Sequence, residues 1–163
     1  GELRKPRWWA LALLESLGPT EVEVELAGDG AGSLVEALAT TGPDGEVSVL
    51  AWNLTLDQTR AAGDPELARR VELEVRGLTA GASYRLQHHR VDADHSDVAA
   101  VWGRLREDGQ DWPTDEQWAA LREADRLDRL EPDRTVTADA SGVVTVGCDL
   151  PMPAMSRVTL TLV

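Results

Sequence analysis

A repeated alternation of apolar and charged residues constrains this chain more than any other feature. Val71, Leu73 and Val75 are interleaved with Arg70, Glu72, Glu74 and Arg76, and Val22, Val24 and Leu26 with Glu21, Glu23 and Glu25. A period of two sends successive side chains to opposite faces of a strand, so each segment buries one face and wets the other. Further strands read through Val47, Val49 and Trp52 after the turn Pro43-Asp44-Gly45, and through Leu86 and His88. Val144, Val146, Cys148 and Leu150 form another, Pro151 and Pro153 break the ladder, and Val158, Leu160 and Leu162 form the last. Residues 33–39 are a weaker strand, and residues 55–68 a polar excursion with a helical turn around Pro65-Glu66-Leu67-Ala68. The pattern predicts a mainly β chain, an immunoglobulin-like antiparallel β-sandwich of about seven to nine strands. The run Gly77-Leu78-Thr79-Ala80-Gly81-Ala82-Ser83-Tyr84 resembles a tyrosine corner, which gives Tyr84 a structural role at a crossover between sheets.

Two stretches follow a helical period instead. Residues 5–18 read as a helix, with Pro6 in the first turn and Gly18-Pro19 as the stop. Ala10, Leu13, Leu14 and Leu17 form its stripe, while Trp8 and Leu11 lie off it, so this helix calls for burial from two sides. A helical excursion at about 95–128 interrupts the strands. Its first helix carries Val98, Val101, Trp102 and Leu105, with Asp94 or Ser96 as N-cap. Its second starts at a Thr114–Gln117 capping box behind Pro113, and Trp118 and Leu121 begin its buried face. Trp102 and Trp118 are assigned to the core.

Composition narrows the function. With 16 Lys+Arg against 29 Asp+Glu and a formal charge of −13, the chain gains nothing from a phosphate backbone or an anionic membrane surface. Nucleic acid and membranes are therefore excluded as partners. No stretch nears the roughly 18 apolar residues of a membrane span, and no signal-peptide order opens the sequence. Cys148 is the single cysteine, which favours a reducing compartment; a bacterial cytoplasm is the expected location. Phe and Ile are absent and Lys5 and Asn53 stand alone, a bias that a GC-rich genome explains. At 163 residues the chain is one domain in size. It is too short for a (β/α)₈ barrel of about 250 residues.

Motifs for chemistry are scarce. Neither a GxGxxG nor a GxxxxGK[ST] phosphate loop occurs, and GxSxG, HExxH and CxxC are missing as well. Asp92, Asp94 and Ser96 imitate the opening of a calcium loop, but its sixth position is Asp97 and its twelfth Gly103. His88 and His89 point to opposite faces of a strand, so at most one could join His95 on a metal. No metal, no cofactor and no catalytic residue is assigned. Carboxylates abound without forming a recognisable pair. Trp52 and Trp112 are the candidates for exposed, sugar-stacking rings. Asn53-Leu54-Thr55 is a glycosylation sequon, without consequence unless the chain is secreted.

Several segments, taken in order, resemble the family 39 glycoside hydrolases, the β-xylosidases with α-L-iduronidases as relatives. They are Arg90-Val91-Asp92, His95-Ser96-Asp97 followed by Trp102, and Pro113-Thr114 with the helix Glu116-Gln117-Trp118-Ala119-Ala120-Leu121. Val49-Leu50-Ala51-Trp52-Asn53 and Leu150-Pro151-Met152-Pro153 match the family's strands. Arg4-Lys5-Pro6 with Trp9-Ala10 and Leu13-Leu14 is similar to the helix that closes the family's barrel. Asp97 replaces the usual Asn, an aromatic near Ala99 or Ala100 is missing, and residues 103–111 form a longer segment than usual.

The resemblance implies the C-terminal β-sandwich domain of such an enzyme. On that view residues 1–18 are the helix left from the end of the catalytic barrel, with Trp8 and Leu11 facing it, and residues 19–163 are the sandwich. The two catalytic glutamates of retaining hydrolysis lie in the barrel, since Asn53 is followed by Leu54 rather than by the family's acid/base Glu. The implied role is that of a non-catalytic accessory domain in the hydrolysis of terminal β-xylosyl units, hence in xylan degradation and carbohydrate metabolism, with the chain inactive by itself. The implied partner is the (β/α)₈ barrel of the parent chain. One alternative is a carbohydrate-binding module for xylo-oligosaccharides using Trp52 or Trp112, with His95 and Asp97 as further contacts. Another is an assembly module in a homo-oligomer. A generic immunoglobulin-like adhesion domain leaves the leading helix and the helical excursion unexplained.

Overall fold

The computed structural model describes residues 2–163. Its elements run α1 (Pro6–Glu15), β1 (Thr20–Val22), β2 (Val35–Thr41), β3 (Val47–Asn53), a 3₁₀ turn (Pro65–Leu67), β4 (Arg69–Val75) and β5 (Ser83–Val91). Then come α2 (Val98–Leu105), α3 (Asp115–Ala124), β6 (Asp128–Arg129), β7 (Arg134–Thr137), β8 (Val144–Leu150) and β9 (Ala154–Leu162). The strands form two antiparallel sheets of unequal size. The larger has the order β1-β2-β3-β9-β5-β6, with β7 also pairing β5; the smaller is β4-β8. The mainly β sandwich expected from the alternation is present, although one of its layers is only a two-stranded ribbon.

Register explains the core. Val49 and Ala51 of β3 point to one face of the large sheet, Leu50 and Trp52 to the other. On the first face Ala39, Val49, Tyr84, Leu86, Val158 and Leu160 meet Val75, Val144 and Val146 of the ribbon, closing the main apolar cluster. Val35, Ala51 and Ala154 continue it toward Leu150. The opposite face is covered by α1, whose Trp9 and Leu13 pack on Leu50 and Val91. The Tyr84 hydroxyl accepts the Thr79 backbone N–H at 3.0 Å and pins the crossing from β4 to β5, as the corner motif requires.

Several local expectations need correction. β1 ends at Val22: Val24 and Leu26 continue the alternation but leave the ladder. In α1 the inward residues are Trp9 and Leu13 with Ala12 and Leu17, whereas Leu14 turns outward; the sheet sits one position around from the expected stripe. The cap of α2 is Asp97, not Asp94 or Ser96, because its Oδ1 accepts the N–H groups of Ala99 (2.8 Å) and Ala100 (3.0 Å). Trp102 and Trp118 are half-buried, so neither belongs to the core proper, while Leu121 and Val98 are buried. The Thr114–Gln117 capping box forms as read.

Candidate functional site

The most organised polar site lies between the sheets, at the end of the sandwich where apolar side chains give way to charged ones. Arg90 is an inward position of β5, on the same face as Tyr84, Leu86 and His88, and is 1% exposed. A buried guanidinium needs all of its donors engaged. Arg90 Nε donates to Ser156 Oγ at 2.6 Å, Nη2 to the Asp149 carbonyl at 2.9 Å and Nη1 to Asp92 Oδ2 at 3.1 Å. His88, fully buried beside it, has Nε2 at 3.0 Å from Ser156 Oγ and Nδ1 at 3.4 Å from Glu131 Oε1. Burial, reinforced by Arg90, holds the His88 pKa below its ordinary value. Burial pushes the nearby Cys148 thiol up. Asn53 closes the same interior: its Nδ2 donates to the carbonyls of Leu67 (2.8 Å) and Leu150 (3.0 Å).

Asp92 joins this interior to the start of the helical excursion. Its Oδ1 accepts the backbone N–H groups of Asp94 and His95, both at 2.9 Å, and lies 2.8 Å from His95 Nδ1. Burial alone would raise the Asp92 pKa, but the bonds from His95, Asp94 and Arg90 outweigh it and hold the carboxyl below its ordinary value. Asp92, His95 and Ser96 thus hint at a hydrolytic triad. The geometry removes that reading. Ser96 is buried with φ 56, its Oγ donates to the Arg90 carbonyl at 2.7 Å and accepts the Asp128 N–H at 2.8 Å, and its own N–H donates to Asp128 Oδ2 at 2.7 Å. A hydroxyl committed on both sides is a structural clasp, not a nucleophile.

The candidate contact residues are dispersed. Asp97 spends its carboxylate on the α2 cap, and His95 keeps part of its ring exposed beside Asp92. Trp52 packs partly against the Trp9–Leu13 cluster, whereas Trp112 is 73% exposed at the tip of the excursion. Trp112 meets Trp118 at 66° between ring planes, so the pair makes no flat platform. Trp8 and Leu11 are 49% and 57% exposed and, with Leu14, line the outer face of α1 at three-residue spacing. Arg4 stands over Trp8 and Trp9, its guanidinium carbon 5.2 and 4.4 Å from their ring centres.

His88 and His89 do face opposite ways, and burial lowers the His89 pKa also, helped by Arg157 and Arg129. Among the described residues no three His, Cys, Asp or Glu gather in a metal-binding group, and no helix is long and apolar enough to cross a membrane. The Arg90–Ser156–Glu131 part of the network escaped the sequence reading. An arginine at an inward position of a strand is the signal that could have exposed it.

Fold and site together define a lopsided β-sandwich with a helix on its outer face, a helical excursion and a buried polar node. Solved structures share this fold. The GH39 enzyme from Xanthomonas axonopodis pv. citri superimposes with a TM-score of 0.75 at 21% identity, over 99% of this chain and 31% of that one. A bacterial orthologue of human α-L-iduronidase gives 0.74 at 27% identity, over 98% and 27%. A monomeric β-xylosidase from Caulobacter crescentus CB15 gives 0.65 at 24% identity, over 98% and 31%. The chain therefore has the fold of one portion of family 39 glycoside hydrolases, as the sequence resemblance implied, and spans about three-tenths of the length of the solved chains. No family model and no curated protein sequence matches it.

Proposed function

We propose that this chain is the C-terminal, non-catalytic β-sandwich of a retaining family 39 glycosidase of the β-xylosidase type, with residues 19–163 as the sandwich and residues 1–18 continuing from the barrel. One observation carries the proposal: the match takes in 98–99% of this chain but only 27–31% of each similar enzyme. The outward Trp8, Leu11 and Leu14 support it, since a contiguous apolar stripe on a helix calls for a neighbouring layer. In the proposed enzyme that layer is the (β/α)₈ barrel, which holds both catalytic carboxylates. The domain's task is then mechanical: it covers one side of the barrel and fixes the excursion beside it.

Incubation of the chain with an aryl β-xyloside is expected to give no hydrolysis above buffer. Turnover abolished by a point mutation within residues 2–163 overturns the accessory role. The exposure of Trp112 favours carbohydrate binding as the second reading. Titration with xylo-oligosaccharides separates the two: the scaffold role gives no saturable change in tryptophan fluorescence, whereas a saturable change lost in Trp112→Ala establishes the binding module.

A further inference from the structure

The helical excursion is built differently from the sandwich beneath it. None of the three apolar clusters takes a side chain from residues 97–125. The two helices instead hold each other. α2 packs on α3, Val98 and Leu121 are buried, and Gln117 Nε2 donates to the Leu105 carbonyl at 2.7 Å. Gln110 and Gln117 are joined amide to amide at 2.7 Å.

At the base the ties are polar. Ser96 and Asp128 exchange two hydrogen bonds where the chain enters and leaves. Arg4 reaches the far end of α3: its backbone N–H and Nε donate to Asp125 Oδ1 at 3.2 and 3.1 Å, and Nη2 donates to the Asp125 carbonyl at 3.0 Å. The Ser96–Asp128 bonds are part-buried and stay with the sandwich. The exposed Arg4–Asp125 bonds exchange for water at small net cost, whereas parting the sheets exposes apolar area in proportion.

We propose that residues 97–125 form an arm that opens from the sandwich as a unit while the strands stay paired, and that the Arg4–Asp125 pair is the clasp holding it shut. The helices are eight and ten residues long, below the roughly 12–15 at which an isolated helix holds in water. Once open, they lose structure together, so their amides report one event. This inference does not depend on the glycosidase reading.

Native-state hydrogen exchange of the chain at low denaturant tests it. The amides of 98–105 and 115–124 are expected to share one opening, with protection at least about tenfold below that of β3, β5 and β9 and a shallower dependence on denaturant. Arg4→Ala is expected to speed arm exchange about three- to tenfold. Val146→Ala, in the main cluster, is expected to speed strand exchange more than tenfold while leaving the arm unchanged, because arm opening does not break that cluster. Protection and denaturant slope equal to those of the strands overturn the arm, as does a Val146→Ala effect of equal size on arm and strands. An unchanged arm in Arg4→Ala overturns the clasp. If Val146→Ala does not fold, the wild-type denaturant dependence decides alone.

Discussion

The two faces of the large sheet are covered in opposite ways. The β4–β8 ribbon closes most of one face: apolar at the Tyr84 end, where Leu162 at the end of β9 stands out, and at the other end built on Arg90, His88, Ser156 and Asn53, each no more than 1% exposed. Helix α1 covers the second face with Trp9 and Leu13 and leaves Trp8, Leu11 and Leu14 turned outward. One face is a finished interior. The other ends in a helix whose outer apolar side chains stand exposed. The contrast teaches that burial beneath a helix says nothing about whether the helix itself is covered.

The largest test of the contrast is Arg90→Ala, which takes the guanidinium from Asp92 Oδ2 and strips the buried Ser156 Oγ and the Asp149 carbonyl of a donor each. A loss of about 3–5 kcal/mol in urea unfolding is expected, and a loss below about 1 kcal/mol would show that water reaches the node. On the helix-covered face Leu13→Ala, at 0% exposure, is expected to cost about 2–5 kcal/mol. A much smaller cost would mean that α1 rests loosely on the sheet.

Acid should act on the ribbon side through His88. Its folded pKa lies below its ordinary 6.5, so the unfolded chain takes up a proton that the folded chain refuses. Stability is therefore full above about pH 6.5 and falls as pH drops toward the folded value. Asp92 adds a second loss below its ordinary 3.8, again because its folded pKa is depressed. Melting temperature in His88→Gln should fall less steeply between pH 6.5 and 5 than in the parent; an equal slope would assign the acid loss to other groups.

Tyr84→Phe removes the bond to the Thr79 N–H and is expected to cost about 1 kcal/mol. Smallest of all, Trp8→Ser should change the stability of this chain by under about 0.5 kcal/mol. A large loss there would place Trp8 in the folded interior and erase the contrast between the faces.

Sequence alternation revealed most of the sandwich, because β4, β5 and β8 bury mainly one face and show the period of two, whereas the central β3 is buried on both faces and was legible from its apolar run instead. It failed at Val24 and Leu26, where apolar spacing persists after hydrogen bonding stops. It could not show that the second layer has only two strands, since pairing partners are set by long-range packing. The caps were legible in part. Thr114 and Gln117 carry their own signature, whereas Asp94, Ser96 and Asp97 are three capping types in one short segment, and only the left-handed turn at Ser96 selects Asp97. Of the polar node, Asp92 and His95 drew notice through their spacing. Arg90 and Ser156 are far apart in sequence and meet only because β5 and β9 pair side by side.

Asn53 bears on how the protein can be made. Its amide is the acceptor atom of the Asn53-Leu54-Thr55 sequon and also the donor that ties β3 to β8 and to the 3₁₀ turn. In a secretory host, a glycan joined to that nitrogen during synthesis would arrive before β3 is enclosed. The sugar would then have to occupy space that the folded chain fills completely. Occupancy at residue 53 would thus mark molecules that can no longer complete their sandwich, and removing the sequon through Thr55→Ala, at a half-exposed loop position, would free such a host to produce the native domain.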